Sequence, residues 1–529
     1  MNHNKNSNFR FDIAIPSIIL IIVISTLLLA FPEHSSKVVN MIHVFTTSKL
    51  KSIYLLIGLF AVGFLGWIAL SRYGNIKFGG ANAEKEFKNL TWFSMLFCSG
   101  MGIGLCYWAF VEPIAYFGAP PFGLEPFSTE AGEYAMTYSF FHWGLTPWGL
   151  YGMSAIAIAY GIHNKKMKTL SMSSATTGLL GKRSYGNLGK IIDILVVVGL
   201  FGGLGTSLAL GVPLVTSLVS EVFDIQLTLG LEITVVLGWT LIFTLTVFSG
   251  LEKGMSKLAD MNTYLGIFLL LFIFFAGDMI ETIDLFLNSL GLLSRDFIRM
   301  SLWTDPIAHT GFVENWTVFY WAWWGSLLPL MALFTARISR GRTIKEVSLG
   351  VLAVGSLGSF AFFTVWGGYA MDLQMSGELD VFSIYMSSGA PTAAIEVIKT
   401  LPFSEIILIL FAVLAMIFVS TTVNTGAYTI ASTCTKKLEA GAQPGKLNRT
   451  IWGLLYGFYA TALFVVAGNN SNIEIVQLSS IITALPIMVL GILVCISGMN
   501  WLKEDYGTMF KYNDNITLPD DKVIKVKEY

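Results

Sequence analysis

Tryptophan and tyrosine are concentrated in two short segments, each inside a long apolar stretch of the sequence. Residues 141–151 read FHWGLTPWGLY, and residues 320–324 read YWAWW. Together they supply six large aromatic side chains that are candidate site residues, Trp143, Trp148, Tyr151, Trp321, Trp323 and Trp324. Electron-rich ring faces that converge attract a bulky, weakly hydrated cation that needs no hydrogen bonds. A cation site is therefore one interpretation, and aromatic packing between helices is the other.

A glycine-rich segment, SGMGIG at residues 99–104, is a second candidate site. Glycine at alternate positions lets the backbone approach another backbone or a ligand closely, and each glycine weakens a helix by about 1 kcal/mol relative to alanine. A loosened helix in a membrane lines a cavity or is buried in protein, where its freed carbonyls and amides can bind an ion or a carboxylate. Close packing of helices through small residues is the alternative.

A polar patch, STTVNT at residues 420–425, lies inside another apolar stretch. Hydroxyl oxygens are hard ligands that suit a small cation. Serine and threonine hydroxyls in membrane helices also bond back to carbonyls of their own helix, which is the commoner arrangement. The patch therefore indicates either an ion site or ordinary helix packing.

The composition of the chain defines its broad class. The 529 residues are 54% hydrophobic and only 13% charged, whereas a soluble domain is about a quarter charged. Uncharged stretches of about twenty residues recur, and each is long enough to cross a bilayer. The sequence therefore predicts an all-α polytopic membrane protein in contact with membrane lipid. The net charge of -1 indicates no nucleic-acid partner, and the spacing of the four cysteines indicates neither a metal cluster nor a disulfide framework.

Twelve transmembrane helices are predicted, at about 13–31, 52–71, 91–112, 134–160, 189–213, 227–248, 257–277, 316–337, 346–370, 404–432, 450–468 and 474–498. The first is expected to be a retained helix, since no small-residue cleavage site accompanies it. Lysine and arginine lie mainly in the loops on the same side as both tails, so both tails are predicted to be cytoplasmic. Residues 280–300 and 391–400 are predicted to form amphipathic helices on the outer membrane face. For the first of these, packing against a neighbouring protomer is an equal alternative.

Few charged residues fall in or near the predicted spans. Glu112, Asp193, Glu232 and Asp260 each lie close enough to a span end to reach water or headgroups. An ionisable residue deep in a span is a functional candidate by default, and none is predicted here. A cation site would then depend on aromatic rings, or on a substrate with its own negative charge. His142, the histidine in mid-span, is interpreted as a structural hydrogen-bond partner.

Four motifs resemble those of the betaine/carnitine/choline transporter family. They are GMGIG at Gly100–Gly104, FFHWG at Phe140–Gly144, NWTVFYWAWW at Asn315–Trp324 and ARISRGRTI at Ala336–Ile344. The resemblance covers roughly residues 10–505. It implies transport of a quaternary ammonium substrate rather than catalysis by an enzyme. An ion channel and a membrane-embedded enzyme are the alternatives of another class, although no cluster of His, Asp and Glu with metal spacing occurs in the predicted spans.

The resemblance also implies an architecture. Twelve transmembrane helices would comprise two peripheral helices plus a five-plus-five inverted repeat, in a homotrimer in the plasma membrane, the inner membrane of a bacterium. The corresponding segments are a cytoplasmic N-terminal tail (1–12), two peripheral helices (13–90), a first repeat (91–277), an amphipathic surface helix and loop (278–315), a second repeat (316–501) and a cytoplasmic C-terminal tail (502–529).

The resemblance further implies which residues bind substrate. An aromatic box of Trp143, Trp148, Tyr151 and Trp324, with Trp321 and Trp323 close by, would hold the trimethylammonium group. The glycine segment, through Met101, Gly102 and Gly104, would receive a carboxylate. Relatives that prefer choline tend to carry aspartate at the position of Gly104, so glycine there favours a zwitterion such as glycine betaine or carnitine. Some sodium-driven relatives have another aromatic residue where this chain has Leu327, which argues against a box-lining role for position 327.

Coupling is interpreted from the same resemblance. A sodium ion, with no other cofactor, would bind backbone carbonyls of Cys98 and Met101 and hydroxyls of Ser420 and Thr421. The carnitine antiporters share Met331 as a site residue, but they replace the ion with an arginine at a position that is Asn262 here. A fixed positive charge is missing, so sodium symport is favoured. Sodium-independent antiport of the carnitine type and choline transport are the alternatives.

Overall fold

A computed structural model describes residues 8–102, 104–167, 169–249, 256–436, 438, 443–467 and 473–507. These residues form helices joined by short connections. Within the described part, the extended pairings are two isolated bridges, Phe9 with Thr435 and Lys77 with Thr343. The first predicted tail, residues 1–12, and the last, residues 502–529, lie largely outside the described residues, although the final helix continues to Tyr506.

Twenty α-helices follow one another in the part of the chain that the structure describes. They are α1 (Phe11–Ala30), α2 (Pro32–Lys49), α3 (Lys51–Leu70), α4 (Asn89–Gly100), α5 (Gly104–Gly118), α6 (Thr129–Trp143), α7 (Leu145–His163), α8 (Met172–Ala175), α9 (Thr177–Leu180), α10 (Asn187–Phe223), α11 (Leu229–Ser249), α12 (Ser256–Ala276), α13 (Met279–Leu302), α14 (Phe319–Ile338), α15 (Ile344–Phe362), α16 (Gly368–Ser376), α17 (Val381–Lys399), α18 (Ser404–Thr433), α19 (Lys446–Ala467) and α20 (Ile473–Tyr506). Wider π-helical turns precede α14, at Val313–Val318, and follow α15, at Phe363–Gly367.

Several of these helices are long and apolar enough to cross a membrane. Among the described residues there are nine, or up to eleven if each of two bent helix pairs counts as one span. The predicted class, an all-α polytopic membrane protein, is therefore confirmed. The exact number of twelve spans stays a prediction.

The third predicted span is broken at the glycine-rich segment. Helix α4 ends at Gly100 and α5 begins at Gly104, and the two axes are bent by 70°. Met101 between them has extended backbone angles, φ -89° and ψ 124°. Loss of helical hydrogen bonding at alternate glycines explains the break. The sequence correctly indicated this weak point.

The fourth predicted span is also interrupted, which the sequence analysis did not foresee. Helix α6 ends at Trp143, and Gly144 leaves the helical region with φ -101° and ψ -131°. A Cβ atom on Gly144 would lie 2.4 Å from the carbonyl oxygen of Phe140, so only glycine fits this bend. Pro147 follows in the first turn of α7, where a missing amide proton costs little. Because of this break, the side chains of Trp143 and Trp148 extend from two separate helices, α6 and α7.

The predicted amphipathic helix at residues 280–300 is present as α13, which is bent 110° from α12. Asp278 caps its first turn by accepting hydrogen bonds from the amides of Ile280 and Glu281 at 2.8 and 3.0 Å. The second predicted surface helix, at 391–400, belongs to a longer helix, α17, which is kinked at Gly389 (φ 84°) and packs against α5. It buries alanines 393 and 394 inside the protein rather than lying free on a surface.

The two helices with the aromatic segments lie at the centre of the bundle. Helix α14 packs against α7 and α20, and α7 also packs against α3 and α15. Almost every residue of α7 and α14 is buried. Both helices are therefore surrounded by protein, which is the condition for a substrate site away from lipid.

Candidate functional site

The rings of the two aromatic segments converge between α6, α7 and α14. The ring centroid of Trp324 lies 5.5 Å from that of Trp143, 6.1 Å from that of Trp148 and 4.9 Å from that of Tyr151. Trp323 adds a contact with Trp143 at 6.3 Å. All five side chains are buried. The structure thus brings together five of the six aromatic side chains singled out in the sequence.

A small cavity separates these rings from the break between α4 and α5. Its volume is about 30 Å³, enough for a molecule the size of water. It is lined by Ser99, Gly100, Gly102, Gly104, Trp143, Tyr151, Ser207, Trp323, Trp324, Leu327, Leu330 and Thr422. A trimethylammonium group is larger than a water molecule, so the walls must separate before such a group can enter.

Two positions in the cavity wall, Gly100 and Gly104, require glycine because their backbone touches an indole ring. A Cβ atom on Gly104 would lie 2.7 Å from Cη2 of Trp323 and 3.1 Å from Cη2 of Trp143. A Cβ atom on Gly100 would lie 2.5 Å from Cη2 of Trp148. Any side chain at Gly104 must therefore displace an indole ring of the cavity.

The remaining predicted substrate residues lie just outside the cavity lining. Trp321 packs on Phe141, at 5.2 Å between ring centroids, and on α3 near Gly58. The sulfur of Met101 lies 3.9 Å from the Ser359 hydroxyl. Trp148 and Met331 lie behind the backbone of Gly100; the Met331 Cε would be 3.2 Å from a Cβ atom there.

Several lining residues were not among the predicted substrate-binding residues, although Thr422 belongs to the polar patch at residues 420–425. Ser207, on α10, accepts a hydrogen bond from Nε1 of Trp323 at 3.2 Å, and Leu330 and Thr422 complete the wall. Leu327 also lines the cavity, although the resemblance argued against that role. It supplies an aliphatic surface where some relatives place a ring. The helical spacing of Trp323, Leu327 and Leu330 along one face of α14 is the pattern from which this lining could have been predicted.

Glu112 is not at a span end, and the prediction that it reaches water is wrong. Helix α5 continues to Gly118, so Glu112 lies about 9 Å along the axis from the helix end, and its side chain is fully buried. Its Oε1 accepts a hydrogen bond from the Tyr116 hydroxyl at 2.7 Å, and its Oε2 accepts one from Nε1 of Trp143 at 2.7 Å. The Tyr320 hydroxyl also donates to Oε2.

Asp193, on α10, is also fully buried, contrary to the prediction. It pairs with Arg10 at 2.7 Å and accepts a hydrogen bond from the Ser173 hydroxyl at 2.8 Å. The interpretation of His142 as a hydrogen-bond partner is confirmed, because its Nδ1 lies 2.7 Å from the Tyr116 hydroxyl oxygen and its Nε2 lies 3.0 Å from Oγ1 of Thr317.

The hydroxyls predicted to bind an ion bond to their own helix. Ser420 donates to the carbonyl of Met416 at 2.8 Å, and Thr421 donates to the carbonyl of Phe418 at 2.8 Å. Each hydroxyl oxygen keeps lone pairs that can face a cation. Helix α18, which carries them, contacts α4. Among the described residues no group of three or more His, Cys, Asp and Glu is placed to hold a metal ion.

Asn262, on α12, is an unexplained polar group near this region. Its side chain is 1% exposed, and neither Oδ1 nor Nδ2 has a hydrogen-bond partner. The adjacent Thr263 has its hydroxyl 3.0 Å from Sγ of Cys98, on α4. Buried polar groups in proteins are almost always satisfied by protein, by ordered water or by an ion, so this amide is a candidate contact for water or a ligand.

A larger cleft of about 710 Å³ lies between α6, α13 and α16. Five carboxylates line it, from Glu133, Asp278, Glu281, Asp284 and Asp372. This cleft is on the side predicted to be external. Negative charge in a cleft raises the local concentration of cations.

An all-helical polytopic chain with a buried, ring-lined cavity at the meeting of two broken spans has the construction of a membrane transporter. The sequence model of BCCT, the betaine/carnitine/choline family transporters, matches residues 12–507. The chain belongs to this family. It is a transporter of small quaternary ammonium substrates, and not an enzyme.

Three relatives are similar over nearly their whole lengths. A carnitine transporter of Acinetobacter baumannii is 30% identical over 505 residues, which cover 95% of this chain and 91% of the relative. A protein named probable glycine betaine transporter, from Desulfitobacterium hafniense, is 34% identical over 479 residues, covering 90% and 94%. A protein of Escherichia coli K12 named uncharacterized transporter YeaV is 31% identical over 466 residues, covering 88% and 96%.

Proposed function

We propose that the protein is a secondary active transporter of a trimethylammonium zwitterion, glycine betaine or carnitine, that works by alternating access. The observation that carries the proposal is the convergence of Trp143, Tyr151 and Trp324 on a cavity whose other wall is glycine backbone. A quaternary ammonium group cannot donate a hydrogen bond, so ring faces suit it well. Three rings at about 2 kcal/mol each supply most of the roughly 8 kcal/mol of a micromolar site.

The carboxylate of the zwitterion is proposed to bind at the start of α5. Gly104, its first residue, lines the cavity. A helix N-terminus presents free amides and a partial positive charge, which favour a carboxylate. The tight contact between Gly104 and Trp323 leaves no room for an acidic side chain that would replace the substrate's own carboxylate. This supports a zwitterion over choline.

Sodium symport is the proposed mode of coupling, with sodium at the backbone carbonyls of Cys98 and Met101 and the hydroxyls of Ser420 and Thr421. The buried amide of Asn262 supports it, because this neutral group has no partner and supplies no fixed positive charge. The alternative is sodium-independent exchange of two substrates. Met331, the site residue shared with the carnitine antiporters, is buried beside Gly100 and would support this alternative.

Uptake into proteoliposomes tests both parts of the proposal. Labelled glycine betaine and carnitine should accumulate under an inward sodium gradient and not under a potassium gradient of the same size. Counterflow in the absence of sodium would overturn symport in favour of exchange. Absence of uptake and counterflow for both substrates would overturn transport of a zwitterion, and uptake of choline alone would favour the choline alternative.

A homotrimer with both tails on the cytoplasmic side of a bacterial plasma membrane is also proposed. The outer face of α13 supports protomer contacts, since it exposes the apolar side chains Ile280, Ile283, Leu287 and Ile298. Native mass spectrometry of the purified protein should give three chains per particle. Labelling of single cysteines placed in each tail of intact and inverted vesicles should report both tails on the inner side.

A further inference from the structure

We propose that the Glu112 carboxylate is the counter-charge for the substrate's trimethylammonium group and acts on it through the indole of Trp143. Glu112 is thus a positioning and specificity-determining residue in the wall of the binding cavity. The inference rests on the proposed function. It departs from the expectation, drawn from the sequence, that no acidic side chain lies near the aromatic rings.

The first argument is the hydrogen-bond pattern around the carboxylate. Tyr116, Trp143 and Tyr320 each direct a donor at Glu112. These donors come from α5, α6 and α14. An indole N–H can only donate, so Oε2 must accept from Trp143. Three donors around one buried carboxyl favour its ionised form and act against the desolvation that burial imposes.

The second argument is that a neutral histidine beside an ionised Glu112 satisfies every contact of this cluster. The Tyr116 hydroxyl lies 2.7 Å from both Oε1 of Glu112 and Nδ1 of His142. With the carboxylate ionised, the single proton of Tyr116 goes to Glu112, and Nδ1 of His142 carries a proton that it donates to the Tyr116 oxygen. Thr317 then donates to Nε2 of His142 at 3.0 Å. In this arrangement the histidine is neutral and the carboxylate is charged.

The third argument is charge balance. In the part of the chain that the structure describes, no lysine or arginine lies within ion-pair distance of Glu112, and the nearest basic group is Nδ1 of His142 at 3.7 Å from Oε1. A buried ion is normally paired with an opposite charge. A cation that enters the cavity would supply the missing partner.

Trp143 connects the two charges. Its Nε1 is bonded to Glu112, and its Cη2 lies at the cavity wall beside Gly104. A hydrogen bond from the indole to a carboxylate shifts electron density into the ring, which strengthens the ring face that a cation meets. A direct charge interaction across one ring, at about 8 Å and an effective dielectric constant of about 20, corresponds to roughly thirtyfold in affinity.

The test compares each zwitterion with a carbon isostere that lacks the positive charge, in the wild-type protein and in Glu112→Gln. Glycine betaine is paired with 3,3-dimethylbutanoate, and carnitine with 3-hydroxy-5,5-dimethylhexanoate, in which carbon replaces the quaternary nitrogen. Dissociation constants are measured with the purified protein by tryptophan fluorescence. We expect Glu112→Gln to lower the preference for the zwitterion over its isostere by tenfold or more. A purely structural role would weaken both ligands equally and leave this ratio unchanged, which would overturn the proposal.

Matched variants separate charge from packing. Glu112→Asp keeps the charge and should keep the ratio within about threefold, even if both affinities fall. Asp193→Asn removes a different buried carboxylate and should leave the ratio unchanged. If Glu112→Gln does not fold, Trp143→Phe takes its place, because loss of the N–H link must lower the ratio, and an unchanged ratio overturns the proposal. A wild-type protein that binds neither zwitterion would instead contradict the proposed function.

Discussion

Gly355 and Trp148 are in direct contact, and a Cβ atom on Gly355 would lie 1.9 Å from Cδ2 of Trp148. At the far edge of the same ring system, Gly100 approaches Cη2. Helix α15 and the end of α4 thus both fit against one indole. Because Trp148 contacts Tyr151 and Trp324 in turn, these glycines determine where the cavity wall lies.

The Gly355→Ala variant should therefore weaken substrate binding, although Gly355 does not line the cavity. The added methyl group must displace Trp148, and overpacking of this kind costs about 1–3 kcal/mol. We expect a lower melting temperature and betaine binding weakened about tenfold, measured by thermal unfolding and by tryptophan fluorescence. Gly63→Ala in α3 is the control, since no atom lies within 4 Å of the added Cβ. Equal losses in the two variants would contradict this account.

Local composition indicated the weak point between α4 and α5, whereas the convergence of the rings was implied by the family resemblance, since the residues alone left helix packing as an alternative. It did not predict the burial of Glu112, because that depends on how far α5 extends and on which helices cover it. The position of Trp321 follows from helical phase: at about 100° per residue it points roughly 110° away from the mean direction of Trp323 and Trp324. Thr422 belongs to a polar patch that the sequence showed, but its meeting with Ser207 at the cavity depends on the packing of helices distant in the sequence, which no local pattern shows.

Gly104→Ala is expected to narrow the cavity. The added Cβ would lie 2.7 Å from Cη2 of Trp323, so the indole must shift toward the space that the substrate needs. Binding of glycine betaine should weaken at least tenfold. Gly102→Ala is the comparison, because its nearest contact, Oγ1 of Thr422, lies at an ordinary 3.8 Å. A larger effect at Gly102 than at Gly104 would show that the Trp323 contact does not limit the site.

Trp324→Leu should weaken substrate binding by tens of fold or more. The variant removes the ring that contacts Trp143, Trp148 and Tyr151, and with it a cation–π contact and the support of three others. Trp321→Leu, three residues earlier, should lower thermal stability but keep the dissociation constant of the folded protein within about threefold. Isothermal titration calorimetry gives the substrate dissociation constants of both variants. Similar losses of affinity would show that the Trp324 ring makes no specific contact with the substrate.

Asp296 is expected to hold α13 against α6 over a wide pH range. Its carboxylate accepts hydrogen bonds from Arg295 at 2.7 Å and from Tyr134 at 2.6 Å, and the bond from Arg295 is the main reason that the pKa of Asp296 is lowered. A lowered pKa means that this stabilisation is present above the unfolded-state value of about 3.9 and is lost as pH falls through the lower folded-state value.

Asp296→Asn should therefore reduce stability by about 1 kcal/mol, a value that allows for solvent screening. The reduction should be the same at pH 5 and pH 7 in thermal unfolding, and it should shrink toward pH 3. Asp284→Asn, an exposed residue of the same helix, should change stability by less than about 0.5 kcal/mol. A reduction that grows between pH 7 and pH 5 would be inconsistent with an ionised Asp296.

Asn262→Arg is expected to remove the dependence on sodium. The Asn262 amide is buried and makes no hydrogen bond to another protein group, so that leaving it without water or a ligand would cost about 1–3 kcal/mol. A guanidinium group would place a permanent positive charge beside Thr263 and Cys98, where a sodium ion is proposed to bind. The ratio of substrate dissociation constants without and with sodium should then fall to near one. Asn288→Arg, on the exposed face of α13, should keep the wild-type ratio. If Asn262→Arg also keeps that ratio, the proposed sodium position is wrong, because a fixed charge and a bound cation cannot share one buried space without strong repulsion.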